Sequence, residues 1–244
     1  MSTSRVAITQ RIAEASPRFK ARIAGVFELL EALTSGFGQV IVPGMLVVSG
    51  NAATTTANIL AHGSLFRFSI LAALIGVVCH IAWVFLFYEL FKPVNRSLSL
   101  LAAFLGFVAI AIQASSSLFQ VAPLIVMEAG KSFSAFNVEQ LQALTLIFLR
   151  FSARAFNTYL AFFGIWCVLI GYLILKSTFM PRIIGVLEAV AGLCWLTFLW
   201  PPLGHFLSPY NQILSGPGEI SLTLWLLVKG VNSERWQEQS LLGR

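Results

Sequence analysis

The chain has few charged residues, and this shortage excludes an ordinary soluble domain. Asp, Glu, Lys and Arg form 11% of its 244 residues, whereas soluble domains contain about 25%. The mean hydropathy is correspondingly high, at +0.83. This composition is typical of an integral membrane protein with short loops between its spans.

The chain also lacks the motifs that identify common enzymes. It contains no GxSxG nucleophile turn, no Walker A loop, no HExxH zinc motif and no GxGxxG dinucleotide motif. Its three cysteines, Cys79, Cys167 and Cys194, lie in apolar runs and form no CxxC pair. We therefore predict that the cysteines are buried in apolar surroundings, and we identify no cofactor. An enzyme is not the favoured interpretation.

Long apolar runs fill most of the chain. A membrane-spanning helix needs about 20 predominantly apolar residues, and six runs are present, at residues 23–48, 66–91, 98–126, 156–175, 183–200 and 220–228. The last run is short, so we expect its helix to begin at Pro217 and to continue to Trp236 as an interfacial anchor. The predicted fold class is all-α, a polytopic transmembrane bundle of six spans.

The cations predict the orientation of these spans. Cytoplasmic loops carry an excess of Lys and Arg, and twelve of the sixteen cations lie in four segments that alternate with cation-poor loops: Arg5, Arg11, Arg18, Lys20, Arg22, Lys92, Arg96, Lys176, Arg182, Lys229, Arg235 and Arg244. Six spans with both termini in the cytoplasm place all twelve on one side. The net charge of +6 therefore reflects topology, and no nucleic-acid partner is predicted.

Residues 138–154 are the ambiguous part of this topology. The apolar stretch at 141–149 is too short to cross about 30 Å of hydrocarbon, and Arg150 and Arg154 follow it. We interpret 138–154 as an amphipathic segment at the outer surface that runs into the fourth span. The alternative is a seventh span, which would move the C-terminus outside. The resulting division is a basic cytoplasmic segment at 1–20, a transmembrane domain at 21–232 and a cytoplasmic tail at 233–244.

Proline and glycine mark the expected helix ends and bends. Pro181 suits the first position of the fifth span, and Pro201 with Pro202 suits its end. The outer end of the first span is expected to bend or break at one of four residues: Gly36, Gly38, Pro43 or Gly44. Gly171 and Gly185 are expected to serve close helix packing.

Four ionisable residues from three spans lie at similar predicted depth and form an inner polar layer: Glu28, Glu31, His80 and Glu188. A charge at the bilayer centre costs about 2.5–3.5 kcal/mol on insertion scales, so such residues usually face the bundle interior or a water-filled cavity. Glu31 with His80 is the leading candidate for a proton or ligand site, whereas Glu28 has the alternative of reaching the inner surface. Three carboxylates and an imidazole suit a divalent metal, but no ExxH or HxxxH spacing supports one, and no metal is assigned.

A second polar group is predicted near the outer surface. Its members are Gln120, Arg150, Arg154, Asn157, Tyr159, His205, Tyr210, Asn211 and Glu219. Glu219 is expected to start a helix, where the helix dipole favours a carboxylate, and to pair with Arg150 or Arg154. Gln113, nearer mid-membrane, and Gln120 are expected to form hydrogen bonds between helices.

Several short strings, in this order and spacing, resemble those of a known family. They are ARIAGV at 21–26, VPG at 42–44, NIL at 58–60, LFR at 65–67, KPVNR at 92–96, GYLI at 171–174, PRIIGVL at 181–187 and SLTLWLLVKG at 221–230. The chain thus resembles, over about residues 20–232, a bacterial family of multi-span membrane proteins catalogued as domain of unknown function 4386. The resemblance implies a single helical domain in the bacterial cytoplasmic membrane, and it implies no activity, cofactor or catalytic residue.

Three functions fit these observations. The favoured one is a non-enzymatic accessory or small-molecule-handling protein whose bundle encloses a polar cavity. The alternatives are an intramembrane enzyme acting on a lipid or other hydrophobic substrate, with Glu31 or Glu188 as base near His80, and a proton-coupled carrier. The predicted partners are the lipid bilayer and a hydrophobic small-molecule ligand, and a homo-oligomer is an open alternative without an interface motif.

Overall fold

The computed structural model describes residues 16–129 and 136–242, and all regular elements within these ranges are helices. Ten of them are α-helices: α1 Pro17–Ser35, α2 Val42–Leu46, α3 Ala52–Ala61, α4 Gly63–Phe91, α5 Arg96–Ala129, α6 Val138–Lys176, α7 Arg182–Leu196, α8 Pro201–Leu207, α9 Tyr210–Val228 and α10 Ser233–Leu242. A π-helical stretch, Gly36–Ile41, joins α1 to α2, and a 3₁₀ turn, Thr197–Leu199, follows α7. The predicted all-α class is confirmed.

Six long helices pack as a closed ring. In chain order, α1 packs on α4, α4 on α5, α5 on α6, α6 on α7 and α7 on α9, and α9 returns to α1. Arg22 near the start of α1 donates to the carbonyl of Val228 at the end of α9, at 3.1 Å. α1 and α9 are therefore antiparallel neighbours, which places the first and last helices of the ring side by side.

The outward faces of the ring are apolar. Five helices are long and apolar enough to cross a membrane, namely Pro17–Leu46, Gly63–Phe91, Arg96–Glu128, Val138–Lys176 and Arg182–Leu199. Large apolar side chains on these helices and on α9 point outward, among them Leu33, Phe68, Val78, Phe104, Leu118, Ile183, Leu193 and Ile220. Exposed apolar surface this extensive is that of a protein embedded in lipid.

One end of the ring collects basic residues and is called the basic end. Here α10 lies across the helix ends, since Trp236 donates to the carbonyl of Leu90 at 2.8 Å and Gln239 to that of Lys176 at 3.3 Å. Glu89 pairs with Lys92 at 2.7 Å and with Lys20 at 3.6 Å. The starts of α1, α5 and α7 and the ends of α4, α6 and α9 therefore share this end.

The ambiguous segment 138–154 is continuous with the fourth apolar run. Asn137 and Gln140 form a reciprocal capping box, with hydrogen bonds of 2.9 Å each way, and this cap starts α6 at Val138. The 39 residues of α6 extend about 58 Å at 1.5 Å per residue. The segment therefore runs into the fourth span as expected, and it makes no turn of its own that would form a seventh.

The predicted bounds of the last span are wrong at both ends. Pro217 lies inside α9, which begins at Tyr210, and the helix stops at Val228 instead of continuing to Trp236. Gly230 adopts a left-handed φ of +66°, a conformation that glycine adopts readily and that reverses the chain after a helix. Trp236 belongs to the separate helix α10.

The other expected breaks lie close to where they were predicted. Pro181, the predicted first residue of the fifth span, directly precedes α7, which begins one residue later at Arg182. α7 gives way to the 3₁₀ turn before Pro201. The first span changes to π-helical geometry at Gly36. Within this stretch Gln120 donates to the carbonyl of Gly38 at 2.9 Å. The expected interhelical hydrogen bond of Gln120 therefore also gives a backbone carbonyl of the π-helical stretch a partner.

Of the cysteines, Cys79 and Cys167 are buried and Cys194 is half-buried.

Candidate functional site

A cavity of about 480 Å³ lies inside the ring, between α1, α6, α7 and α9. Four carboxylates line it and are called here the acidic cluster: Glu28, Glu31, Glu188 and Glu219. Six aromatic side chains complete much of its wall: Trp83, Phe156, Tyr159, Phe163, Trp195 and Phe198. The cavity wall therefore combines carboxylates with aromatic surface.

Helix geometry explains how α1 and α9 present their carboxylates. Residues three and four apart share a helix face, so Glu28, Glu31 and Ser35 face the cavity together. On the antiparallel α9, Glu219 and Thr223 form the matching pair. The two helices approach closely at Gly25, where a Cβ atom would lie 2.9 Å from Leu226 Cβ.

The members of the acidic cluster differ in whether their carboxylate oxygens have hydrogen-bond partners. Glu28, Glu31 and Glu188 are only 5%, 8% and 1% exposed. The Oε2 atoms of Glu28 and Glu188 are buried and have no hydrogen-bond partner within the described part of the chain. Glu219 accepts a hydrogen bond from the indole of Trp195. Buried polar groups are normally hydrogen-bonded, so the two unpartnered oxygens mark an incomplete site.

The position of Glu219 corrects three sequence predictions. It lies in the middle of α9 and does not start a helix. It belongs with the acidic cluster, not with the outer group, and its partner is Trp195, not Arg150 or Arg154. Both arginines are exposed on α6, and no ion pair of either is found among the described residues.

The structure brings Glu31 and His80 together through a third residue. Gln113, which is fully buried on α5, donates from Nε2 to Glu31 Oε1 at 2.9 Å and to Ser35 Oγ at 3.1 Å. Its Oε1 therefore faces His80 Nδ1, at 2.9 Å. An amide oxygen only accepts, so Nδ1 of His80 carries the proton in this bond. The direct distance between His80 Nδ1 and Glu31 Oε1 is 3.9 Å.

His80 lies behind the cavity wall. It is fully buried and stacks on Trp83 with a centroid separation of 4.7 Å, and the rings of Tyr159 and Phe163 meet it edge-on at 5.9 Å. Trp83, Tyr159 and Phe163 line the cavity, whereas His80 and Gln113 do not. Glu31 is thus the end of this network that a ligand can contact, and His80 and Gln113 position it.

Of the predicted inner polar layer, Glu28, Glu31 and Glu188 line the cavity and His80 lies behind its wall. Sequence reasoning did not identify Gln113 as the link between Glu31 and His80. Gln113 was expected to form an interhelical bond, and it does. Its specific partners depend on how α1, α4 and α5 meet. Of the predicted outer group, Asn157, Tyr159 and His205 line the cavity, while Asn211 donates to the carbonyl of Gly204 at 3.2 Å.

The cavity opens away from the basic end. Its exposed lining residues lie beyond Glu31 along α1, the π-helical stretch and α2, on α6, on α8 and at the start of α9: Ala32, Val40, Gly44, Ala153, His205 and Gln212. Within residues 16–129 and 136–242, no three His, Cys, Asp or Glu side chains are arranged to hold one metal ion. The arrangement suits a molecule that enters from the end of the ring opposite the basic end and contacts the acidic cluster.

Comparison with known proteins gives one match. The model of a family described as Domain of unknown function (DUF4386) matches residues 23–230, nearly the same range as the resemblance found in the sequence. No curated protein and no solved structure matches the chain.

Proposed function

The chain belongs to the DUF4386 family, and we propose that it is a non-enzymatic membrane protein that binds a small molecule inside its helical ring. The cavity is the observation that carries this proposal. Its volume of about 480 Å³ falls in the range of about 300–1,000 Å³ that is usual for ligand pockets. Its wall combines aromatic surface with a few convergent polar groups, which is the usual make-up of such pockets.

The geometry favours binding over the catalytic alternative. A carboxylate and an imidazole that act together on a substrate must both reach it, and His80 lies outside the cavity wall. A proton relay from Glu31 to His80 is likewise not favoured, because the amide of Gln113 stands between them. We therefore assign Glu31 to ligand contact and His80 to positioning.

The proposed topology has six spans, with both termini on the cytoplasmic side of a bacterial cytoplasmic membrane. The closed ring supports it, because α9 packs as its sixth member and is 19 residues long. At 1.5 Å per residue that is about 28 Å, close to the hydrocarbon thickness of about 30 Å. The gathering of cations at the basic end is the second support.

Cysteine labelling tests this topology. Gln237→Cys, on exposed α10, is expected to react with a membrane-impermeant maleimide only after the cytoplasmic face is opened. Ala53→Cys, exposed on α3 at the other end of the ring, is expected to react in intact cells. Labelling of both positions from the same side would contradict the six-span topology.

Filling the cavity tests the proposed function. Gly36 lines the cavity, and a Cβ atom added there meets nothing within 4 Å, so Gly36→Phe occupies ligand space without forcing the backbone apart. We expect this variant to fold normally but to lose most of the molecule that co-purifies with the parent protein, as measured by mass spectrometry of the extracted protein.

The matched control is Gly63→Phe, at the start of α4, where a Cβ atom also meets nothing within 4 Å and which does not line the cavity. It is expected to retain the parent's ligand content. A parent protein that carries no co-purifying molecule, or equal ligand content in the two variants, would count against a ligand site in this cavity.

A further inference from the structure

The charge of the cavity wall is unbalanced. The acidic cluster contributes four carboxylates, and neither Lys nor Arg is found among the described residues that line the cavity. Among the described residues, the one pairing of a cluster carboxylate with a basic group is that of Glu31 with His80, at 3.9 Å. An ionised carboxylate at membrane depth is unfavourable unless a cation or hydrogen-bond donors accompany it.

Two buried oxygens show where donors are missing. Oε2 of Glu28 and Oε2 of Glu188 belong to side chains that are more than nine-tenths buried and that line the cavity. Glu28 comes from α1 and Glu188 from α7, so two different helices contribute these side chains to the wall of one cavity. A group with several N–H donors and a positive charge would satisfy both oxygens and offset the charge.

The aromatic part of the cavity wall also suits a positively charged ligand. The π faces of Trp, Tyr and Phe attract cations, and six such rings line the cavity. The rings also provide apolar surface for the body of a ligand. A metal ion matches the wall less well, because the described carboxylates include no three-residue set arranged around one point.

We infer that the ligand is a protonated lipophilic amine. Its ammonium group donates hydrogen bonds to Glu28 and Glu188, within the acidic cluster, while its apolar body contacts the aromatic wall. This inference rests on the proposed function and specifies its ligand class. Because the unpartnered oxygens need N–H donors, a primary amine is preferred to a quaternary ammonium of the same shape.

A matched set of probes tests the inference. Phenylbutylamine, phenylbutanol and phenylbutanoate share one body and differ in whether the end group is cationic, neutral or anionic at neutral pH. Binding to the full-length protein in a non-ionic detergent is measured by isothermal titration calorimetry. We expect phenylbutylamine to bind more tightly than phenylbutanol by about tenfold or more, and phenylbutanoate not to bind.

Variants of Glu28 and Glu188 test whether these two carboxylates cause the preference for the amine. Glu28→Gln combined with Glu188→Gln is expected to weaken phenylbutylamine about tenfold or more and to leave phenylbutanol unchanged. Each single variant is expected to give part of this loss, which keeps the test valid if the double variant does not fold. Glu234→Gln, on exposed α10, is the control and should not change either affinity.

The possible results distinguish failure of the amine inference from failure of the proposed ligand-binding function. If phenylbutanol binds as tightly as phenylbutylamine and Gly36→Phe abolishes both, the cavity is a ligand site but the preference for amines is refuted. If phenylbutylamine fails to bind, or if its affinity survives Glu28→Gln with Glu188→Gln, the inference is also overturned. If Gly36→Phe changes the affinity of no probe, the proposed function itself fails.

Discussion

Gly192→Val is expected to lower the unfolding temperature sharply, because no side chain fits where α6 and α7 cross. A Cβ atom at Gly192 would lie 2.6 Å from the carbonyl oxygen of Gly164 and 2.7 Å from the amide nitrogen of Val168. These neighbours are backbone atoms, so a change of rotamer cannot relieve the clash. Overpacking of a core costs about 1–3 kcal/mol, and we expect the upper end of that range or more.

Thermal unfolding in mild detergent, followed by intrinsic fluorescence, measures this effect. The control is Gly216→Val on α9, where a Cβ atom would meet only Ile220 Cδ1, at 4.0 Å. Both variants replace a helical glycine by the same β-branched residue, so their difference isolates the contact between α6 and α7. Equal melting temperatures for the two variants would show that these helices do not meet at Gly192.

A second pair of glycines repeats this contact one heptad away. A Cβ atom at Gly171 would lie 2.7 Å from the carbonyl of Gly185, and one at Gly185 would lie 2.7 Å from the carbonyl of Gly171. The two pairs are seven residues apart on both antiparallel helices, which is how small residues allow backbones to approach in membranes. This contact confirms the predicted packing role of Gly171 and Gly185.

The sequence was informative where a property depends on local composition. Five of the six predicted spans correspond to helices apolar and long enough to cross a membrane, because span length follows from hydropathy alone. The similar membrane depth of Glu28, Glu31 and Glu188 could also be predicted, because the depth of a residue follows from its distance along the helix to the helix end.

The sequence was less informative where a property depends on which helices meet. Glu219 was assigned to the outer surface because Pro217 suggested a helix start, whereas packing of α9 against α1 and α7 extends the helix back to Tyr210. The same limit applies to Gln113. Its glutamine type predicts a hydrogen bond between helices, but only the approach of α1 and α4 to α5 supplies Glu31 and His80 as partners.

Gln113→Leu is expected to destabilise the protein by about 2–4 kcal/mol, because each buried polar group left without a partner costs about 1–3 kcal/mol. The substitution removes the partner of His80 Nδ1 and one donor to Glu31. The free energy of unfolding is measured by denaturant titration in detergent. The control is Gln39→Leu, which removes a single bond, to Ser117 at 3.0 Å, from a half-buried glutamine, and a clearly smaller loss is expected for it.

A double-mutant cycle distinguishes the network from simple loss of packing. His80→Phe keeps an aromatic ring against Trp83 and removes the Nδ1 donor, so the bond to Gln113 no longer exists in that background. Gln113→Leu should then cost less than it does in the parent, by about 0.5–3 kcal/mol, the range found for residues in one hydrogen-bond network. Strict additivity would mean that His80 and Gln113 act independently. Gln113 would then hold Glu31 without help from His80, and His80 would have no part in preparing the carboxylate for its ligand.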